Sequence, residues 1–317
     1  MSVGVIVPVR APAPWLGEAL AAIRAQEPAP DRLVVVDDGS EPALVVAGPV
    51  ELIRRDRSGG PAIARQAGLD ALGESVELIA LCDADDRWCP GKLAAQLAAL
   101  DAHPDAALCV GRARVVGSAG APTGEAWEPL APGRHEPARL ARTVYECNPV
   151  ATSAVVVRAE ALRAVGGFQT DVPPPCEDAD TWLRLLAAGH PAVSEPAAEV
   201  AYRRHPGGLT ADIAALAEAQ LALHERHAGL VDAVTRVQAE ARDLRALARG
   251  RATQRRYGEA REALRRAAGV SAPSPADRAY AVALALPGLG GGRGGGGELQ
   301  ARGGEGRGGG GGGPRGV

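Results

Sequence analysis

Aromatic side chains are scarce in this chain: four Trp, four Tyr and one Phe make up 3% of its 317 residues. The scarcity accompanies abundant Ala, Gly, Pro and Arg, a compositional bias that excludes no function. Other absences exclude more. Five cysteines, at 82, 89, 109, 147 and 176, include no C-x-x-C pair. That argues against a disulfide framework or a zinc site, and for a reducing compartment. Excess positive charge is missing: the net charge of −3 and pI of 6.1 give no electrostatic case for nucleic acid. No apolar run reaches the roughly 18 residues of a spanning helix. The N-terminal apolar run is too short, and lacks the basic flank, for a signal peptide. A soluble cytoplasmic protein is expected, with peripheral contact at the inner membrane face compatible with it. G-x-G-x-x-G is absent after the first apolar run, which excludes a dinucleotide-dependent oxidoreductase. Pro8-Val9-Arg10-Ala11-Pro12 stands there instead, and it is not the glycine-rich basic loop of a nucleotidyltransferase.

What is present begins with Leu78-Ile79-Ala80-Leu81-Cys82-Asp83-Ala84-Asp85-Asp86, an apolar run ending in three carboxylates within four residues. Val76 to Cys82 reads as a strand buried on both faces. Its acids then lie at the C-terminal mouth of a strand, where open α/β sheets bind ligands. With the backbone extended, Asp83 and Asp85 point the same way and repel each other unless a cation intervenes. Hard oxygen ligands suit Mg²⁺ or Mn²⁺ shared with substrate phosphates. The plain alternative is a solvated acidic turn. A second apolar run, Leu33 to Val36, also ends in acids, Asp37 and Asp38, and a third, Val3 to Val9, opens the chain. Helix-like segments near 15–25, 61–72 and 91–102 alternate with these runs, which predicts βαβ units and a mostly parallel sheet. Both acid clusters then face one crevice.

These residues resemble the family 2 glycosyltransferases, inverting enzymes of the GT-A fold that use nucleotide sugars. The resemblance spans about residues 2–210. It rests on Val5-Ile6-Val7-Pro8-Val9, Val35-Val36-Asp37-Asp38-Gly39-Ser40, Ala64-Arg65-Gln66-Ala67-Gly68 and Leu81-Cys82-Asp83-Ala84-Asp85-Asp86-Arg87-Trp88. It continues through Lys92-Leu93, Gln96, Val165-Gly166-Gly167-Phe168, Cys176-Glu177-Asp178 and Tyr202-Arg203-Arg204-His205. Gln66 departs from the family's usual Asn near the phosphates. Arg10-Ala11 departs from its usual aromatic and Asn.

The resemblance implies a metal-dependent transfer of a sugar from a nucleotide-diphosphate donor, UDP-linked by preference, to a hydroxyl of a glycan, lipid-linked or other acceptor. Cell-surface glycan synthesis is a setting consistent with this. The contrasting reading is an inactive GT-A-fold scaffold, against which the intact Asp83, Asp85, Glu177 and Asp178 argue. By position in the family motifs, Asp85 coordinates Mn²⁺ or Mg²⁺. Asp83 reaches the ribose, or the metal through water, with Ala84 beside it, and Asp86 supports from behind. His205 either completes the metal shell or is a surface histidine in a turn. Asp38 meets the nucleobase; Asp37 orients the loop or forms an Asx turn. Pro8 and Val9 floor the base pocket through backbone atoms. Gly59-Gly60-Pro61 opens a helix whose N-terminus is positioned for the diphosphate, and Arg65 pairs with a phosphate or with an Asp. Glu177 and Asp178 begin a helix before Trp182-Leu183. Asp178 is expected as general base, with Glu177 assisting, kept ionised by the helix dipole. Asn148 to Ser153 is expected beside the donor sugar, opening a strand at Ala154–Val157.

Three parts are expected: a GT-A domain at 1–210, a helical region at 211–287 and a disordered tail at 288–317. Leu216, Leu221, Leu223, Leu230, Val234, Val237, Leu244 and Leu247 recur near helical spacing, with a helical hairpin near 237–248 and 255–268. The tail is dominated by glycine and has too little apolar surface to offset its ordering entropy.

Overall fold

The structure is a computed structural model that describes residues 1–285 except 126, 128, 129 and 173; the expected disordered tail at 288–317 lies outside the described residues. In chain order the elements are β1 (Val3–Val9), α1 (Leu16–Arg24), β2 (Arg32–Asp37), β3 (Glu51–Arg54), α2 (Pro61–Leu72), β4 (Leu78–Leu81) and β5 (Arg87–Trp88). Next come α3 (Lys92–Ala102), β6 (Leu108–Val116), β7 (Gly133–His135), α4 (Pro137–Cys147), β8 (Val155–Arg158), α5 (Ala159–Ala164), α6 (Glu177–Ala187) and β9 (Ala192–Arg203). Four helices follow: α7 (Ile213–Arg226), α8 (Ala233–Thr253), α9 (Tyr257–Val270) and α10 (Pro275–Ala285).

One mixed sheet runs β3-β2-β1-β4-β8-β6-β9-β5, with β7 on β9. The first four strands are parallel. β8 enters antiparallel between β4 and β6, and β6 pairs parallel with β9. The period-2 alternation of strands explains why the apolar runs are unbroken. Ile6, Ile79 and Leu81 face one layer, formed by α2, α4, α6 and the inner face of α7. Val5, Val7, Ala80 and Cys82 face the other, formed by α1 and α3. Each buried Val, Leu or Ile contributes roughly 1.5–3 kcal/mol, a surplus large enough to hold costly acids at the strand ends. Gly68 lets α2 lie close on β1: a Cβ there would stand 2.6 Å from Ile6 Cγ2.

The register Val9↔Asp37 brings β1 and β2 to a common edge, and β4 ends beside them. Past residue 210, Ala219, Leu223 and Ala239 join the same core as α4 and α6, while a separate small cluster ties α7, α8, α9 and α10 together. Among the described residues no helix is long and apolar enough to cross a membrane.

Candidate active site

The acids after β4 do not continue as a strand. The Asp86 amide donates to the Asp83 carbonyl at 3.1 Å, closing a turn. The expected extended D-x-D is therefore corrected: a turn separates the two side chains and each meets its own partner. Asp83 Oδ1 accepts from Arg65 at 2.7 Å. Asp85 Oδ2 lies 2.9 Å from His205 Nε2. Ala84 sits between them, half-buried. Burial, then the nearby Asp83, raises the pKa of Asp85, against the pull of His205. Asp86 is buried and pushed well above the usual carboxylate range by burial, then by Asp85 and Asp83. Its Oδ1 accepts the Arg203 amide at 2.8 Å, so it braces the turn against β9.

Among the described residues no cluster of three or more His, Cys, Asp or Glu side chains is closed around a common point. The donor chemistry nevertheless fits a divalent ion. A carboxylate and an imidazole converge, with a second carboxylate near enough to raise the first one's pKa. In this arrangement His205 and Asp85 contact each other directly. Trp15 holds the imidazole, with ring centroids 4.7 Å apart, and its indole donates to the Ser118 carbonyl at 3.1 Å.

At the β1–β2 edge, Asp37 is fully buried. It accepts the Ser40 and Leu44 amides at 3.0 and 3.1 Å and Arg54 at 2.7 Å. These bonds outweigh burial and lower its pKa. Asp37 therefore orients the loop and makes the Asx turn. Asp38 accepts from Arg55, from Ser58 Oγ at 2.8 Å, and from the Gly59 and Gly60 amides at 3.0 and 2.8 Å. This changes the reading of Gly59-Gly60-Pro61: the chain's own carboxylate takes the amides ahead of α2 that were expected to face a diphosphate. Gly39, at φ +70°, permits this closeness, since a Cβ there would lie 2.4 Å from the Ser58 nitrogen. Pro8 is half-buried and Val9 is buried at the same edge.

The second acid pair opens α6. Glu177 is buried and accepts from Arg65 at 2.8 Å. Arg65 thus joins the acids of β4 to those of α6 while almost wholly buried itself; the paired Asp83 and Glu177 overcome its desolvation and hold it charged. Asp178 accepts from Thr152 Oγ1 at 2.8 Å. Its pKa is pushed up to about 7 by burial, then by Glu177, against Arg65, Thr152 and the hydrogen bond its carboxylate accepts from the Ala179 N–H. The expectation that the helix dipole keeps Asp178 fully ionised is corrected here. A dipole end contributes about half a charge, less than desolvation and a neighbouring carboxylate together. A cavity of about 170 Å³ adjoins this pair, lined by Gly59 to Ala62, Thr170 to Val172, Pro174 and Glu177.

Several residues at the site lay outside the sequence argument. Thr152 and Ser153 stand between the two acid groups. The Asp83 amide donates to Ser153 Oγ at 2.9 Å, and the Trp88 indole donates to the Ser153 carbonyl at 3.0 Å. Only the expected position of 148–153 beside the crevice pointed to them. Arg203 binds the Asp85 carbonyl at 2.8 Å and Glu18 at 2.8 Å; its place in Tyr202-Arg203-Arg204-His205 was the available signal. Gln66 is engaged within the fold, its Oε1 accepting the Phe168 amide at 2.8 Å and its amide nitrogen donating to Asp70 at 2.7 Å.

Residues 4–154 match the family model described as Glycosyl transferase family 2. No curated protein matches the chain. Among solved structures, S. aureus TarS superposes with a TM-score of 0.57 at 16% identity, covering 90% of this chain and 53% of that one; the chain spans about half its length. S. aureus TarS 1-349 in complex with UDP-GlcNAc gives a TM-score of 0.58 at 16% identity, covering 85% of this chain and 81% of that one. Mannosyltransferase PcManGT from Pyrobaculum calidifontis, in complex with GDP-Man and Mn2+, gives 0.56 at 20% identity, covering 89% and 79%. These likenesses show the GT-A fold.

Proposed function

Taking as premise that residues 4–154 form a family 2 glycosyltransferase domain, we propose that the protein is an inverting transferase. It moves a sugar from a nucleotide-diphosphate donor, UDP-linked by preference, to an acceptor hydroxyl. One observation carries this reading: two carboxylate groups at one crevice, Asp83/Asp85 and Glu177/Asp178, are joined through a single buried Arg65.

Asp85 and His205, with Asp83 nearby, would hold Mn²⁺ or Mg²⁺, which supplies Lewis-acid neutralisation of the diphosphate leaving group. The chain's own residues do the rest. Arg65 fixes Asp83 and Glu177 at a constant separation, its single charge shared between them. Asp178, held by Thr152 Oγ1, accepts the acceptor's hydroxyl proton at a carboxylate oxygen. A pKa near 7 suits that role, because an effective base titrates near the working pH. Inversion places this base on the face of the sugar opposite the leaving phosphate. Pro8, Val9, Asp37 and the Asp38-braced loop at 55–60 wall the nucleotide pocket, with Asp38 shaping it through that loop. The expected three-part division at 210 and 287 is kept as a proposal for the ordering of functions along the chain.

The test is thermal unfolding with UDP-GlcNAc and GDP-mannose, each with Mn²⁺ and with a chelator. Specific binding at 100 times Kd adds about 2.7 kcal/mol. A rise in Tm is expected for a donor with Mn²⁺ and not with the chelator, and Asp85→Ala should abolish the difference. Equal stabilisation in both conditions would remove the metal from the reading.

A further inference from the structure

The last turn of α7 inserts its side chains among the first 210 residues. His227 Nε2 lies 2.8 Å from Asp180 Oδ1, and Arg226 Nε stands 3.0 Å from the same oxygen. Arg184, one turn along α6, donates to Oδ2 at 2.7 Å. Asp180 is fully buried and lies in the first turn of α6 with Glu177 and Asp178. A carboxylate without water needs its partners. Arg184 supplies one from within α6, and the other oxygen is left entirely to α7. Arg226 also binds Asp171 at 3.0 Å, on the wall of the cavity beside Glu177. One turn earlier, His224 Nε2 meets the Tyr145 carbonyl at 2.7 Å, and the two rings stack at 4.2 Å. Tyr145 belongs to α4, which leads into the segment that carries Thr152. The end of α7 therefore grips both supports of Asp178: the helix that bears it and the segment that holds its carboxylate.

We propose that His227 and Arg226 are positioning residues for the base, acting through Asp180 to fix the first turn of α6. The helical region beyond residue 210 is then part of the catalytic apparatus rather than an appendage. This rests on Asp178 being the base of the proposed transferase. The carboxylate of Asp180 behaves as a clamped anion should: bonds from His227 and Arg184 outweigh its burial and lower its pKa.

The test compares the full chain with His227→Ala and His227→Gln, the latter keeping an N–H donor of similar reach. Turnover and donor KM are read with UDP-GlcNAc and GDP-mannose in Mn²⁺, and amide hydrogen exchange is read across residues 177–187 and 61–72. His227→Ala should lower kcat about tenfold or more with donor KM within about twofold, a partial loss of the roughly 10²–10⁴-fold that a base contributes. It should also speed exchange in α6 but not in α2, and His227→Gln should restore both. Unchanged exchange in α6, a kcat equal to wild type, or failure of Gln to rescue would overturn the proposal. If the wild type turns over neither donor, the transferase reading is what has failed, and the clamp stands or falls on exchange alone. Should His227→Ala not fold, Arg226→Gln, at an exposed position, is read by the same measures.

Discussion

Arg65 keeps its charge with almost no water around it because a carboxylate pairs with each of its two terminal nitrogens. Breaking a buried ion pair by removing one partner typically costs about 3–5 kcal/mol. Arg65→Met should therefore lower Tm by several degrees and abolish turnover, checked by calorimetry and a donor-hydrolysis assay. Arg65→Lys should recover part of the stability but little activity, since an ammonium cannot span both acids as a planar fork does. Asp178 gives the opposite sign. Its folded pKa, about 7, exceeds the carboxylate's usual 3.8, so the folded state binds the proton more tightly and stability falls as pH rises between those values. Asp178→Asn removes this liability. Its Tm should exceed wild type at pH 8 and lose that advantage near pH 4, while transfer drops by about 10²–10⁴-fold. Wild-type activity should rise through pH 7 as Asp178 ionises. A variant that is no more stable at pH 8 would show that the carboxylate is not strained there.

Elements were legible where their pattern was local. β1, β2, β4 and helices α1, α2 and α3 could be read because their apolar runs and periods are uninterrupted. β6 could not: Gly111-Arg112-Ala113-Arg114 breaks the apolar run, and the strand forms by pairing with β8 and β9, with Gly111 at a register shift where a Cβ would stand 2.1 Å from the Ala198 carbonyl oxygen. That approach depends on β9, distant in sequence, as do β5 and β7. The acid pairs were legible by type and order, but not their partners, because Arg65–Glu177 and His205–Asp85 join residues about a hundred positions apart. After β4 the chain takes the acidic turn that was the plain alternative to extending the strand by period, with its acids paired rather than solvated. The short 3-10 turn at Thr152–Ala154 shows how such a non-local link acts. Thr152→Val deletes the hydroxyl that lowers the Asp178 pKa. The rising limb of the pH–activity profile should move to higher pH, by about one unit if the bond contributes about 1.4 kcal/mol. A limb at its original position would assign Thr152 to packing alone.

Across the whole molecule, the boundary drawn at 210 by motif content does not divide the core. Leu223 alone contributes roughly 1.5–3 kcal/mol, and removing α7 with His227 also strips Asp180 of two partners, Arg226 and His227. Set against a total stability of about 5–15 kcal/mol, a chain ending at 210 should fail to fold cooperatively, as seen by circular dichroism, whereas one ending at 285 should keep its melting transition. Arg65 carries a longer consequence. It lies inside the matched segment 4–154, while Glu177, which it holds, lies beyond it. Chimaeras that exchange one half of this chain for that of a relative would part a guanidinium from the carboxylate that pairs with it. An exchange joined between 154 and 177 should therefore fold well only where the incoming half restores a carboxylate opposite Arg65.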